Sequence, residues 1–187
     1  MGRKREGLRF LPKKWIRNLW ISYLYTWKAS TGGSINEKAA MNKIKPYKPE
    51  ERQHYLKVWE DSVLATHHFL EPHVFQSIKK IVSDLDFGEL ESHGLWEDDE
   101  LLGFIGIADK KIEMLFLSPR QRGKGYGRLL MEFALDIYAV NSLDVNEQNP
   151  EALGFYLHMG FEIQGRSEID SLGLPYPILH LLRKNLD

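Results

Sequence analysis

The chain has 187 residues, a formal net charge of −1 and no cysteine. Lack of cysteine excludes disulfides, thiolate metal sites and a cysteine nucleophile, and the length suits one domain with a proper core. The near-zero charge conceals a split: residues 1–40 carry nine Lys/Arg against two Asp/Glu, whereas the remainder carries sixteen against twenty-four. An acidic body is a poor match for nucleic acid, which needs a basic face, and favours a cationic partner such as an amine.

In chain order, Ile16, Leu19, Trp20, Tyr23, Leu24 and Trp27 form an apolar stripe at helical spacing beside Lys13, Lys14 and Arg17. A basic aromatic helix of this kind can lie at a membrane interface but is too short to span one. Thr31-Gly32-Gly33-Ser34 then breaks the pattern, and a complete domain is expected from Met41 onward, read as the biological start, with residues 1–40 an upstream extension of the gene model and not native to the domain. A short strand is predicted at Lys43–Tyr47. A helix follows at Glu50–Leu70, where Tyr55, Leu56, Trp59 and Val63 recur at three- and four-residue steps, and a second at Glu71–Leu85, with Val74, Ile78, Ile81 and Val82 inward. His67 and His68 are adjacent rather than four apart on one helical face, so no metal site is expected.

The period then changes to two. Leu95-Trp96, Leu101–Ala108 and Ile112–Leu117 read as strands, the last apolar on both faces and therefore central. Simple alternation puts Glu113 on the face of Leu115 and Leu117, where a carboxylate is costly unless it is paired or lines a cleft. A helix over Lys124–Val140 would bury Leu129, Leu130, Phe133, Ala134, Ile137 and Tyr138. A strand at Ser142–Asn146 leads to Asn149-Pro150-Glu151, a helix start with an Asn cap and Pro at the first position. That helix stops at Gly160, and strands at Phe161–Ser167 and Ile178–Leu182 close the chain. The predicted order is β-α-α-β-β-β-α-β-α-β-β.

The stretch from Leu115 to Leu130 holds the strongest chemical signal. A strand runs into Arg120-Gln121-Arg122-Gly123-Lys124-Gly125-Tyr126-Gly127-Arg128, with glycine at alternate positions and a helix directly behind. Unscreened backbone N–H groups, a helix start and four cations make an anion site suited to pyrophosphate. The spacing is neither that of the P-loop nor that of the dinucleotide fold.

Arg122-x-x-Gly125-x-Gly127 resembles the acetyl-CoA pyrophosphate loop of the GNAT superfamily of N-acetyltransferases, and Asn149-x-x-Ala152-x-x-Phe155-Tyr156-x-x-x-Gly160-Phe161 resembles that family's second motif. The runs Val145–Asn149, Gly165–Glu168 and Leu172–Pro177 look like the YjaB-type bacterial branch. The resemblance covers roughly residues 43–184. It implies a mixed α/β (α+β) fold: a mostly antiparallel sheet of about seven strands with four helices, splayed by a bulge between strands 4 and 5. Acetyl-CoA would bind there as co-substrate, without a metal. Its pantetheine would lie along Leu115 and Leu117, and its pyrophosphate on Arg122, Gly123, Lys124, Gly125, Tyr126 and Gly127. Asn149 would bond the pantetheine, and Tyr156 would both contact the cofactor and protonate the departing thiolate. With no cysteine to carry an acyl group, direct transfer to an amine in a ternary complex is expected. Glu113, desolvated and so raised toward the working range, or His67 would be the base. Asn149 as a cap, Tyr156 as core, Glu113 in an ion pair and His67 as a helix cap are the structural alternatives. A non-catalytic acetyl-CoA sensor or scaffold is the functional one. The acceptor is expected to be a small-molecule or peptide amine and the location cytoplasmic, with peripheral membrane contact open to residues 1–40; oligomeric state is left open.

Overall fold

A computed structural model describes residues 43–184; the expectations for the aromatic stripe and for Met41 lie outside the described residues. The elements are β1 (Ile44–Pro46), α1 (Arg52–Thr66), α2 (Pro72–Asp84), β2 (Glu91–Glu97), β3 (Glu100–Ala108), β4 (Lys111–Leu117), α3 (Tyr126–Tyr138), β5 (Ser142–Asn146), α4 (Pro150–His158), β6 (Phe161–Ser167) and β7 (Ile178–Arg183). They follow the expected order. The sheet runs β1-β2-β3-β4-β5-β7-β6, and every neighbouring pair is antiparallel except β4 and β5. A parallel pair needs a crossover connection, and α3 supplies it.

An aromatic column joins α1 to the middle of the sheet. Tyr55 packs on Phe104 at 4.8 Å and on Phe87 at 5.4 Å between ring centres, and Phe104 packs on Phe116 at 5.4 Å. All four rings are fully buried, so this contact fixes the height of α1 over β3 and β4.

Four local expectations are corrected. The first helix stops at Thr66 instead of Leu70: the Thr66 hydroxyl turns back onto Ser62 O (2.8 Å), and Glu71 is extended ahead of Pro72, which opens α2. β2 begins four residues before Leu95, because Glu91-Ser92-His93-Gly94 pairs with β3 although it lacks apolar alternation. Ile137 is 65% exposed, while Val140, past the left-handed turn at Ala139 (φ 48°), is buried near it in sequence. Finally, strict alternation fails in β4. Gly106 faces Met114 but Ile107 faces Ile112, so Glu113 is the extra residue of a β-bulge.

Gly103 sits opposite Leu117 on the β3–β4 ladder. A Cβ there would run into the Leu117 side chain and lie 2.6 Å from the Phe116 carbonyl oxygen, which is backbone and cannot yield cheaply. Gly103→Ala is therefore expected to cost about 1–3 kcal/mol, measured as a lower urea midpoint at unchanged slope.

Candidate active site

The site is organised by a pairing that stops early. β4 and β5 share only the registers Lys111–Ser142 and Ile112–Leu143; the bulge at Glu113 follows at once, and the strands diverge. Ser118 N–H donates to Leu102 O (2.8 Å). Antiparallel ladders alternate, so this bond sets the phase: residues 118, 116 and 114 bond to β3, and the peptide groups of Leu115 and Leu117 turn toward the opening. Both residues are fully buried. An extended ligand can add itself to this side of β4 as a strand would.

At the mouth of the opening lies the glycine loop. Gly123 (φ 72°) and Gly125 (φ 86°) occupy left-handed backbone, which any other residue would strain. Gly125 caps α3 without a side chain, and Tyr126, Gly127 and Arg128 precede the first helical bond, Leu129 N–H to Gly125 O (3.0 Å). Their N–H groups are the donors that a helix start leaves over. The four cations do not act alike. Arg122 reaches back to α1, donating to Ser62 O (3.2 Å) and Ser62 Oγ (3.3 Å). Arg128 pairs with Glu132 and Lys124 donates to Gln121, while Arg120 is exposed. Ser62, itself buried, was not foreseen; a serine within a helix carries no signal that an arginine sixty residues on will seek it.

Across the opening, β5 ends in Asn146 and α4 begins after Asn149. Both amides are buried, and both oxygens are committed: Asn149 Oδ1 accepts from Ala152 N–H (3.2 Å) and Asn146 Oδ1 from Gln148 N–H (2.7 Å). Each Nδ2 is buried with no acceptor among the described residues. Buried donors without acceptors cost about 1–3 kcal/mol each, a cost that a ligand carbonyl would relieve. Asn149 is thus a helix cap with its amide –NH₂ to spare. Asn146 was missed as a site residue, although its place at a strand end three residues before the cap was a usable hint. Tyr156 is 1% exposed on α4, its ring 6.3 Å from that of Phe161.

Glu113, 2% exposed, lies where the two strands part. His67 caps α1: its backbone N–H bonds Val63 O (2.9 Å), and its Nδ1–H faces Val63 O (3.3 Å) and Thr66 Oγ1 (2.7 Å). Burial lowers its pKa to about 3, against the pull of the Val63 bond and helped by the nearby Arg122 charge. Beside the loop, a groove of about 990 Å³ runs between α1 and the β2–β3 turn, lined by Val58 and Leu101, with Asp61, Glu97, Asp98, Asp99 and Glu100 outnumbering Lys57 and Arg120 among its charged residues.

A sheet opened beside a bulge, with a glycine-capped helix start at its mouth, is the framework of an acyltransferase. Comparison with known proteins makes the assignment specific: residues 43–176 match the Acetyltransferase (GNAT) domain, and the chain belongs to the GNAT family of acetyltransferases. It is 39% identical over 146 residues to the peptidyl-lysine N-acetyltransferase YjaB of Salmonella typhimurium, covering 76% of this chain and 98% of that protein. Identity to YjaB of Escherichia coli is 38% over 142 residues, 74% of this chain and 94% of that one. The solution structure of apo-form YjaB from Escherichia coli matches with a TM-score of 0.69 at 36% identity, over 74% of this chain and 95% of that one. PaiA N-acetyltransferase from Thermoplasma acidophilum, in complex with coenzyme A, shares the fold (TM-score 0.58, 20% identity, 76% of this chain and 98% of that one).

The depressed His67 pKa has a consequence for stability. Below about pH 6.5 the unfolded chain binds a proton at this histidine that the folded chain refuses until about pH 3. Stability therefore falls as pH drops through that window, with a slope approaching about 1.4 kcal/mol per pH unit from this group. His67→Gln should flatten the decline in urea midpoint between pH 6.5 and 4; an unaltered decline would place the acid sensitivity elsewhere.

Proposed function

We propose that the protein transfers the acetyl group of acetyl-CoA to a primary amine, directly within a ternary complex, and that the acceptor is the lysine side chain of a peptide or protein. The carrying observation is the β4–β5 opening, where the peptide groups of Leu115 and Leu117 turn away from β3. These groups would hold the pantetheine amides. The loop N–H groups from Arg122 to Gly127 would take the pyrophosphate, and the spare Nδ2 donors of Asn149 and Asn146 would take ligand carbonyls. Naming of the YjaB relatives as peptidyl-lysine N-acetyltransferases supports the acceptor class, and the mainly acidic lining of the groove suits a cationic partner.

In this reading Glu113 takes the proton of the attacking ammonium, directly or through water, because it stands at the base of the opening. His67 serves as a helix cap: an imidazole protonated only near pH 3 is too weak a base for an amine. Tyr156 protonates the leaving thiolate, an ordinary phenol and thiol being close enough in acidity for efficient exchange. A sensor that binds acetyl-CoA without turnover is the competing reading, and release of free thiol in an acceptor-amine screen separates the two. Residues 41–187 are taken as the catalytic domain and residues 1–40 as an extension to it. A cytoplasmic site of action fits a chain without cysteine. Among the described residues no helix is long and apolar enough to cross a membrane.

Gly125→Val would place a side chain over the helix start and strain a backbone at φ 86°. Acetyl-CoA affinity by calorimetry should fall at least about tenfold, the loss of one charge-assisted contact; wild-type affinity in this variant would remove the loop from the site. Tyr156→Phe keeps the ring packing and removes the hydroxyl. Single-turnover transfer should slow by about 10²–10⁴-fold with acetyl-CoA affinity little changed, and an unchanged rate would leave Tyr156 as core.

A further inference from the structure

On the other side of β5 from β4, the strands β7 and β6 join it in bringing three polar side chains into one line. Asp144 and His180 are register partners across β5 and β7, and His180 faces Gly165 across β7 and β6. Ser167 is two residues beyond Gly165 and so on the same face. His180 Nδ1–H donates to Asp144 Oδ1 at 2.7 Å, and Ser167 Oγ–H donates to His180 Nε2 at 2.7 Å. Lys111 Nζ donates to the other carboxylate oxygen, Asp144 Oδ2, at 3.0 Å, which fixes the carboxylate plane.

The order of bonds is that of a serine nucleophile's relay. A carboxylate on Nδ1–H sets the tautomer, so the Nε2 lone pair faces the serine hydroxyl, and the carboxylate stabilises the imidazolium that forms when the proton moves. Such relays are recognised by geometry and not by chain order. Strands hold all three groups, which gives more precise placement than loops. The site is also reachable: the His180 side chain is 42% exposed and Asp144 15%. Gly165 lies directly against the imidazole, where a Cβ would make an ordinary contact with His180 Cδ2 at 3.6 Å. The β6 bulge, with Gln164 as its extra residue, lies immediately beside it.

We propose that Asp144, His180 and Ser167 form an activated serine, with Ser167 Oγ a nucleophile toward small activated esters on the half-exposed face of β5, β7 and β6. Ser167 Oγ attacks the carbonyl carbon and its proton passes to His180 Nε2. The bond to the leaving alcohol breaks, and the alcohol either takes that proton or departs as an aryl oxide, in which case Nε2 releases the proton to solvent. Water then attacks the acyl-serine, giving its proton to Nε2, and the carboxylic acid leaves as Ser167 regains its hydrogen. This activity uses a free ester, so it stands or falls independently of the acetyl-CoA reading.

The full chain is treated with p-nitrophenyl acetate, following p-nitrophenolate, and with a fluorophosphonate probe whose site of attachment is read by peptide mass spectrometry. The expected result is a burst of phenolate and labelling at Ser167. Ser167→Ala and His180→Gln should each lower the labelling rate by about 100-fold or more, and Asp144→Asn by about tenfold or more, with the circular dichroism spectrum and urea midpoint retained as the check on folding. If His180→Gln does not fold, Asp144→Asn answers the same question, because it leaves the serine and the imidazole in place. Labelling of the wild-type chain no faster than Ser167→Ala, attachment at another residue, or an unchanged rate in either relay variant would overturn the assignment.

Discussion

Everything at the candidate site depends on β4 and β5 ceasing to pair after two registers. Two parallel strands would ordinarily bond along their whole length, and here the extra residue at Glu113 breaks the rhythm of β4 just where the pairing stops. The backbone groups freed on β4 are buried at Leu115 and Leu117, a situation that a sheet normally avoids. A ligand with amide groups of its own is the natural remedy, as in other cases of strand addition. The bulge thus creates the opening and puts a carboxylate at its base in one step.

The loop at the mouth shows that a cluster of cations is not a single electrostatic object. Arg122 is spent on α1 through Ser62, and Arg128 on its own helix through Glu132. Besides the exposed Arg120 and Lys124, the loop offers the backbone of a helix start capped by glycine. Fixed dipoles need no reorganisation when a ligand arrives, whereas long side chains lose rotamer freedom. Arg122 is better understood as the strut that holds the loop against α1, and the conformations of Gly123 and Gly125 as the shape it holds.

Much of this architecture was legible in the chain, because its signals are local. The Asn149-Pro150 cap, the stop at Gly160, the alternate glycines and the change of period after Leu85 each depend on a few neighbouring residues, and each lies where expected. What escaped was set by distant partners. The bulge at Glu113 is a matter of register against β3 and cannot be seen in β4 alone. Ser92 and His93 are buried in β2 because β3 pairs with them, although nothing in their own pattern marks a strand. The link from Arg122 to Ser62 spans sixty positions. His67 was read as either a base or a helix cap; its hydrogen bond to Val63 O puts it at the end of α1, and its burial is set by packing that the sequence alone does not show.

The bulge in β6 bears on how the molecule behaves among copies of itself. β6 ends the strand order, and an edge strand is a template on which another chain can grow a sheet. Here Gln164 interrupts the row of bonding groups, and Glu162 and Arg166 flank it with charges engaged by Lys184, Glu147 and Glu168. Ile163, nearly half exposed between them, is the one large apolar side chain that this border offers. The same irregularity that adjoins His180 therefore also serves colloidal stability, discouraging β-sheet growth at the end of the sheet where the chain closes.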